Sequence, residues 1–109
     1  MAWLLREDEV LATLEVADDF RSRARGLLGR DGCEGALLLE PARSVHTIGM
    51  RFAIDVAFCD RQLRVLRVAT MRPHRIGRPC MKAHCVIEAE AGTFVHWELH
   101  PGDQLEIRE

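Results

Sequence analysis

Apolar and polar residues alternate with period two near the N-terminus, where Val10, Ala12, Leu14 and Val16 interleave with Leu11, Thr13 and Glu15. That period marks a half-buried strand, and Trp3 to Arg6 reads as a second one, joined to it through the acidic turn Glu7-Asp8-Glu9. The period then lengthens. Asp18 or Asp19 can N-cap a helix that gathers Phe20, Ala24, Leu27 and Leu28 on one face, sets Arg21 and Arg25 on another, and stops at Gly29. Ala36-Leu37-Leu38-Leu39 is apolar throughout, as in a buried strand, and Pro41 ends it. Val45 to Ile48 is an extended piece interrupted by Gly49.

Ile54 to Cys59 and Leu63 to Val68 form the next two strands, with Asp60-Arg61-Gln62 as a hairpin link. From Met71 to Lys82 the pattern breaks down around Pro73, Gly77 and Pro79, and Arg72, Arg75, Arg78 and Lys82 make this a basic loop. Cys85 to Glu90 resumes strand character. A short helix through Leu99 is predicted to follow, with Thr93 as N-cap, then a turn over His100-Pro101-Gly102-Asp103 and a closing strand from Gln104 to Arg108. Strands outnumber helices, and most links are too short for parallel crossovers. The expected fold is therefore α+β: a mainly antiparallel, curled or barrel-like β-sheet with one or two short helices, the first of them packed on the sheet.

At 109 residues, 48% hydrophobic and 29% charged, the chain has material for one core, so residues 1–109 are read as a single domain. A net charge of −2 gives no overall attraction to polyanions, and binding to nucleic acid or an anionic surface would have to be local. Lys82 is the only lysine, so nearly all positive charge is guanidinium. The N-terminus turns acidic after five residues, without a basic or apolar leader segment, and no apolar run approaches the roughly 20 residues that span a bilayer. A cytoplasmic protein without membrane insertion is expected, with its four irregularly spaced cysteines reduced.

Candidate chemistry is sparse. Cys80, His84, Cys85 and His74 show no recurrent metal-binding spacing, and no metal or cofactor is expected. The stretch Arg30 to Gly35 lacks the lysine and hydroxyl of a phosphate loop. Ser44 or Cys59 could be a nucleophile with His46 as base, but no nucleophile-elbow pattern surrounds either. Asp55, Glu88 and Asp103 are carboxylates whose separation the sequence does not fix. Asp55 opens an otherwise apolar strand, where an acid is costly without a partner, and Arg51, His46 or Arg25 are the donors expected to supply one.

An ordered series of motifs runs through the chain: Arg25-Gly26-Leu27-Leu28-Gly29-Arg30, Gly35-Ala36-Leu37-Leu38-Leu39, His46-Thr47-Ile48-Gly49-Met50-Arg51 leading into Ile54-Asp55-Val56-Ala57-Phe58, Ile87-Glu88-Ala89-Glu90-Ala91-Gly92, and Pro101-Gly102-Asp103. In this series the chain resembles the DUF192 family. The series runs from about Asp18 onward. In place of the Phe-Trp-Met-Lys-Asn-Thr run of many relatives the centre is similar to a His-x-x-Gly-Met-Arg variety. The resemblance implies a compact β-rich α+β domain and no agreed activity.

Three functional readings follow. The leading one is a binding or accessory module whose polar groove, bordered by Arg25, Arg30, His46, Met50, Arg51 and Asp55, takes a small anionic or peptide ligand. The second is a small hydrolase-like enzyme with His46 or Asp55 as general base. The third is recognition of a protein partner or nucleic acid through the basic loop 72–82. The lack of stacking aromatics there disfavours nucleic acid.

Overall fold

The computed structural model describes residues Met1 to Glu109. Seven strands, β1 (Ala2–Arg6), β2 (Glu9–Ala17), β3 (Ala36–Leu39), β4 (Ile54–Cys59), β5 (Val65–Met71), β6 (Cys85–Glu90) and β7 (Glu106–Arg108), form one sheet in the order β5-β4-β6-β3-β2-β1-β7. Two short helices, α1 (Phe20–Arg25) and α2 (Thr93–Trp97), complete the α+β fold. All neighbours are antiparallel except β2 and β3, which run parallel because the connection carrying α1 returns the chain to the same end. The sheet curls until its edges meet at one corner: Val65 donates to the Asp103 carbonyl at 2.9 Å and Leu105 to that of Leu63 at 3.0 Å. Only an isolated bridge, Arg64 to Gln104, joins the edges, so the sheet is curled and not closed.

Strands β3, β4 and β6 are buried on both faces, which explains why their sequences read as apolar runs and not as alternating ones. One core layer lies inside the curl, where Leu4, Leu38, Ile87 and Leu105 pack with Phe94 and Trp97 of α2. The two aromatic rings stack with centroids 5.4 Å apart. The other layer lies on the outer face, where Leu37, Leu39, Ile54, Val56 and Val86 are covered by Leu27, Val45 and Met50. Strand parity thus assigns each residue of the central strands to one layer or the other.

α1 departs from expectation. Asp19 does cap it, accepting from the Ser22 amide at 2.8 Å and the Ser22 hydroxyl at 3.0 Å. Yet the helix buries no side chain, Phe20 is 80% exposed, and the chain leaves the helix at Gly26, not Gly29. Gly26 takes φ +50° and ψ −128°, and the turn it makes drops Leu27 into the outer core layer. The packing expected of the helix is done by the residue after it. α2 is also capped differently: its N-cap is Gly92, which has no side chain to offer, and not Thr93.

The basic loop is an ordered ribbon. Residues 72–80 run antiparallel to 43–49, with His46 bridged to Ile76, and hydrogen bonds join Gly77 N–H to the Val45 carbonyl and Cys80 N–H to that of Arg43. The fully buried Thr47 hydroxyl donates to the Arg72 carbonyl at 2.6 Å and accepts from the Arg75 amide at 2.9 Å. Two segments too irregular for a strand pattern support one another.

Candidate functional site

The two buried acids within the central strands settle where an unsatisfied group lies. β4 and β6 pair with Asp55 opposite Ala89 and Val56 opposite Glu88, so a one-residue offset sends the carboxylates to opposite faces of the sheet. Both residues are only 3% exposed. Asp55 points toward α2, where it accepts from the Thr70 hydroxyl at 2.7 Å and the amides of Gly92 and Phe94 at 2.9 and 3.0 Å. None of Arg25, His46 or Arg51 reaches it. Parity is the reason: Ile54 and Val56 face the outer layer, and Asp55 between them faces inward.

Glu88 has the opposite circumstance. It lies among the apolar side chains of the outer layer, and its Oε1 is buried without a hydrogen-bond partner. Burial in these surroundings pushes its pKa from 4.5 to about 7, because the charged form loses hydration that nothing replaces. Such a group is costly to keep, and perturbed acids of this kind concentrate at functional sites.

Above Glu88 is a cleft of about 300 Å³. Phe20 and residues 23–28 form one wall, residues 42–46 with Ile48 and Met50 form the other, and Leu39 and Glu88 lie at the base. Gly26 approaches the acid closely, since a Cβ there would stand 3.4 Å from Oε1. Gly26→Ala is accordingly expected to cost about 1 kcal/mol or more in urea denaturation, from the left-handed backbone and the crowding of the carboxyl together.

The rim carries three arginines in different states. Arg23 donates to the Asp18 carbonyl at 2.8 Å, and Arg43 to the Ala83 carbonyl at 3.3 Å. The Arg25 side chain is exposed and makes neither a hydrogen bond nor an ion pair, so its guanidinium is available to a ligand. The His46 Nδ1 accepts from the Ile48 amide at 3.3 Å, and no hydrogen bond joins His46 to Ser44.

Of the six residues expected to border a groove, the cleft brings together Arg25, His46 and Met50. Arg30 lies elsewhere, gripping both oxygens of Glu15 at 2.8 and 3.2 Å. Arg51 is exposed and pairs with Asp31 at 2.8 Å. Asp55 lines a second, wider cleft of about 600 Å³ between β5 and α2, where its carboxylate is already engaged. No group of three or more His, Cys, Asp or Glu side chains is placed to hold a metal ion.

The DUF192 family model, described as "Uncharacterized ACR", matches residues 3–107. The chain belongs to the DUF192 family. A UPF0127 protein of Pyrococcus abyssi is 33% identical over 98 residues, covering 85% of this chain and 84% of the relative. A UPF0127 protein of Pyrococcus horikoshii is 33% identical over 97 residues, covering 84% of each. Among solved structures, a protein of unknown function from Novosphingobium aromaticivorans aligns with a TM-score of 0.82 at 19% identity, over 96% of this chain and 82% of that one. A protein titled a putative transcription regulator from Sinorhizobium meliloti aligns with a TM-score of 0.81 at 21% identity, over 96% of this chain and 90% of that one. At these identities the two structures speak for the fold.

The DUF192 motifs, separate in sequence, meet in space. Arg25-Gly26-Leu27-Leu28, the residues His46 and Met50, and Glu88 from the Ile-Glu step all line the one cleft. Glu88 is the residue that site reasoning from sequence passed over in favour of Asp55. Both are buried acids in apolar strands, and only the β4–β6 register separates the satisfied acid from the orphaned one.

Proposed function

We propose that this DUF192 protein is a binding module whose cleft takes a small anionic ligand with an apolar body and a hydrogen-bond donor at its inner end. The observation that carries this reading is the buried, unpartnered Oε1 of Glu88 at the base of the cleft. An acceptor in that position gains most from a hydroxyl, amide or amine brought in by a ligand. Arg25 at the rim offers an unengaged cation for the anionic group. Leu27, Leu28, Leu39, Val45 and Met50 supply the apolar wall between them. A volume of about 300 Å³ is at the small end of ligand sites, which favours a compact molecule or the terminus of a peptide.

The test is an amide-resolved NMR titration with three probes. 4-Hydroxyphenylacetate carries all three features, phenylacetate lacks the donor, and tyramine lacks the anion. The first is expected to bind best, shifting the amides of Gly26, Leu28, Val45 and Glu88, and Arg25→Ala is expected to weaken it about tenfold, as for loss of one charge-assisted hydrogen bond. Equal binding of all three, or shifts confined to the β5–α2 cleft, would remove the reading.

A further inference from the structure

A second feature of the molecule is electrical. No acid occurs between Glu40 and Asp55 or between Asp60 and Glu88, although the chain as a whole is net negative. These two acid-free stretches include the two halves of the ribbon that pairs 43–49 with 72–80. Arg6, Arg30, Arg51 and Arg108 each have a carboxylate partner, whereas no cation from Arg61 to Lys82 has one. The ribbon and its exit therefore carry Arg72, Arg75, Arg78 and Lys82 with no carboxylate among them or paired to them.

The ribbon is also apolar at its tips. Ile76 is 78% exposed, Met81 69% and Ile48 51%, interleaved with Arg72, Arg75, Arg78 and Lys82. The bridge from His46 to Ile76 joins it to the cleft wall, which His46 and Ile48 line. Thr47 holds the ribbon from beneath, and the exposed His74 ties its two halves together, its Nδ1 accepting from the Gly49 amide at 3.2 Å, so the tips are presented on a fixed backbone.

We propose that this ribbon face adsorbs to an anionic lipid surface without spanning it. Cations attract the headgroups, and aliphatic tips between them gain by entering the boundary with the acyl chains. The complementary polyanion, nucleic acid, is matched less well: the ribbon has no Phe, Tyr or Trp for base stacking, and protruding aliphatics gain little against phosphates. Adsorption in this orientation brings the cleft wall beside the lipid boundary.

Sedimentation with vesicles tests it directly. The full chain is expected to co-sediment with phosphatidylcholine–phosphatidylglycerol vesicles (1:1), to bind pure phosphatidylcholine weakly, and to be released as salt is raised. Replacing Arg72, Arg78 and Lys82 together with glutamine, at side chains that carry no internal hydrogen bond, is expected to weaken binding on the order of a hundredfold. Ile76→Ser, which removes the aliphatic tip without changing the charge, is expected to weaken vesicle binding about tenfold while leaving association with a DNA duplex unchanged. Indifference of vesicle binding to either variant, or tighter binding to DNA than to anionic vesicles at equal salt, would overturn the proposal. Circular dichroism of each variant guards against loss of fold.

Discussion

Replacing Glu88 with glutamine is expected to stabilise the protein by about 3 kcal/mol at pH 8 and by only about 1 kcal/mol at pH 5. The carboxyl ionises near 4.5 when the chain is unfolded and near 7 when it is folded, so between these values the folded state holds the extra proton. Stability therefore falls as pH rises from about 4.5 to about 7, and the full penalty is present above that window. Glutamine has the shape and polarity of the neutral acid and does not titrate, so it removes the pH-dependent cost alone. Urea denaturation of both proteins from pH 5 to pH 8 measures it. A pH-independent difference would show that burial does not hold the acid neutral, and a destabilised variant would show that the carboxylate has a partner. The depressed acids Glu15 and Asp19 act in the opposite sense, but they titrate below their ordinary values and leave the window clear. A natural sequence that retains so costly an acid under a glycine and beside a cleft is keeping it for something other than stability.

Sequence patterning located the strands well because burial on one or both faces leaves a periodic trace. β3, β4 and β6 coincide with their apolar runs, and β1 and β2 with period-two or apolar stretches bounded by turn residues. The antiparallel, curled α+β architecture followed from short links. What patterning could not register were contacts between segments without a period. The ribbon of 43–49 and 72–80 is held by single backbone bonds and by Thr47, none of which imposes a repeat. The short α1 exposes its apolar residue, because the cleft rather than the core lies beside it. Arg25, His46 and Met50 could be named from their motifs, since those motifs converge. Arg30 and Arg51 sit in the same motifs but found acids of their own, which only the fold brings near. The choice between Asp55 and Glu88 depended on register, and register is a property of two strands, not of one.

Removal of Asp55 tests that choice from the other side. Asp55→Ala is expected to cost about 3 to 5 kcal/mol in urea denaturation, far more than an exposed acid would. The carboxylate does the work that Gly92 cannot: it caps α2 from across the interior, accepting the Gly92 and Phe94 amides while it takes the Thr70 hydroxyl of β5. Truncation leaves two backbone donors buried or half-buried without an acceptor and loosens Phe94 and Trp97 from the inner core. Thr70→Val alone is expected to cost about 1 kcal/mol, and in the double variant with Asp55→Ala to add almost nothing, because the hydroxyl then has no carboxylate to lose. Full additivity would contradict the bond. Asp55→Asn, which keeps the side-chain volume, is expected to be destabilised less and to bind 4-hydroxyphenylacetate as the parent protein does. An acid on the inner face that holds a helix has no part in a cleft on the outer one, and a loss of probe binding in the folded variant would show that the two faces are coupled through the sheet.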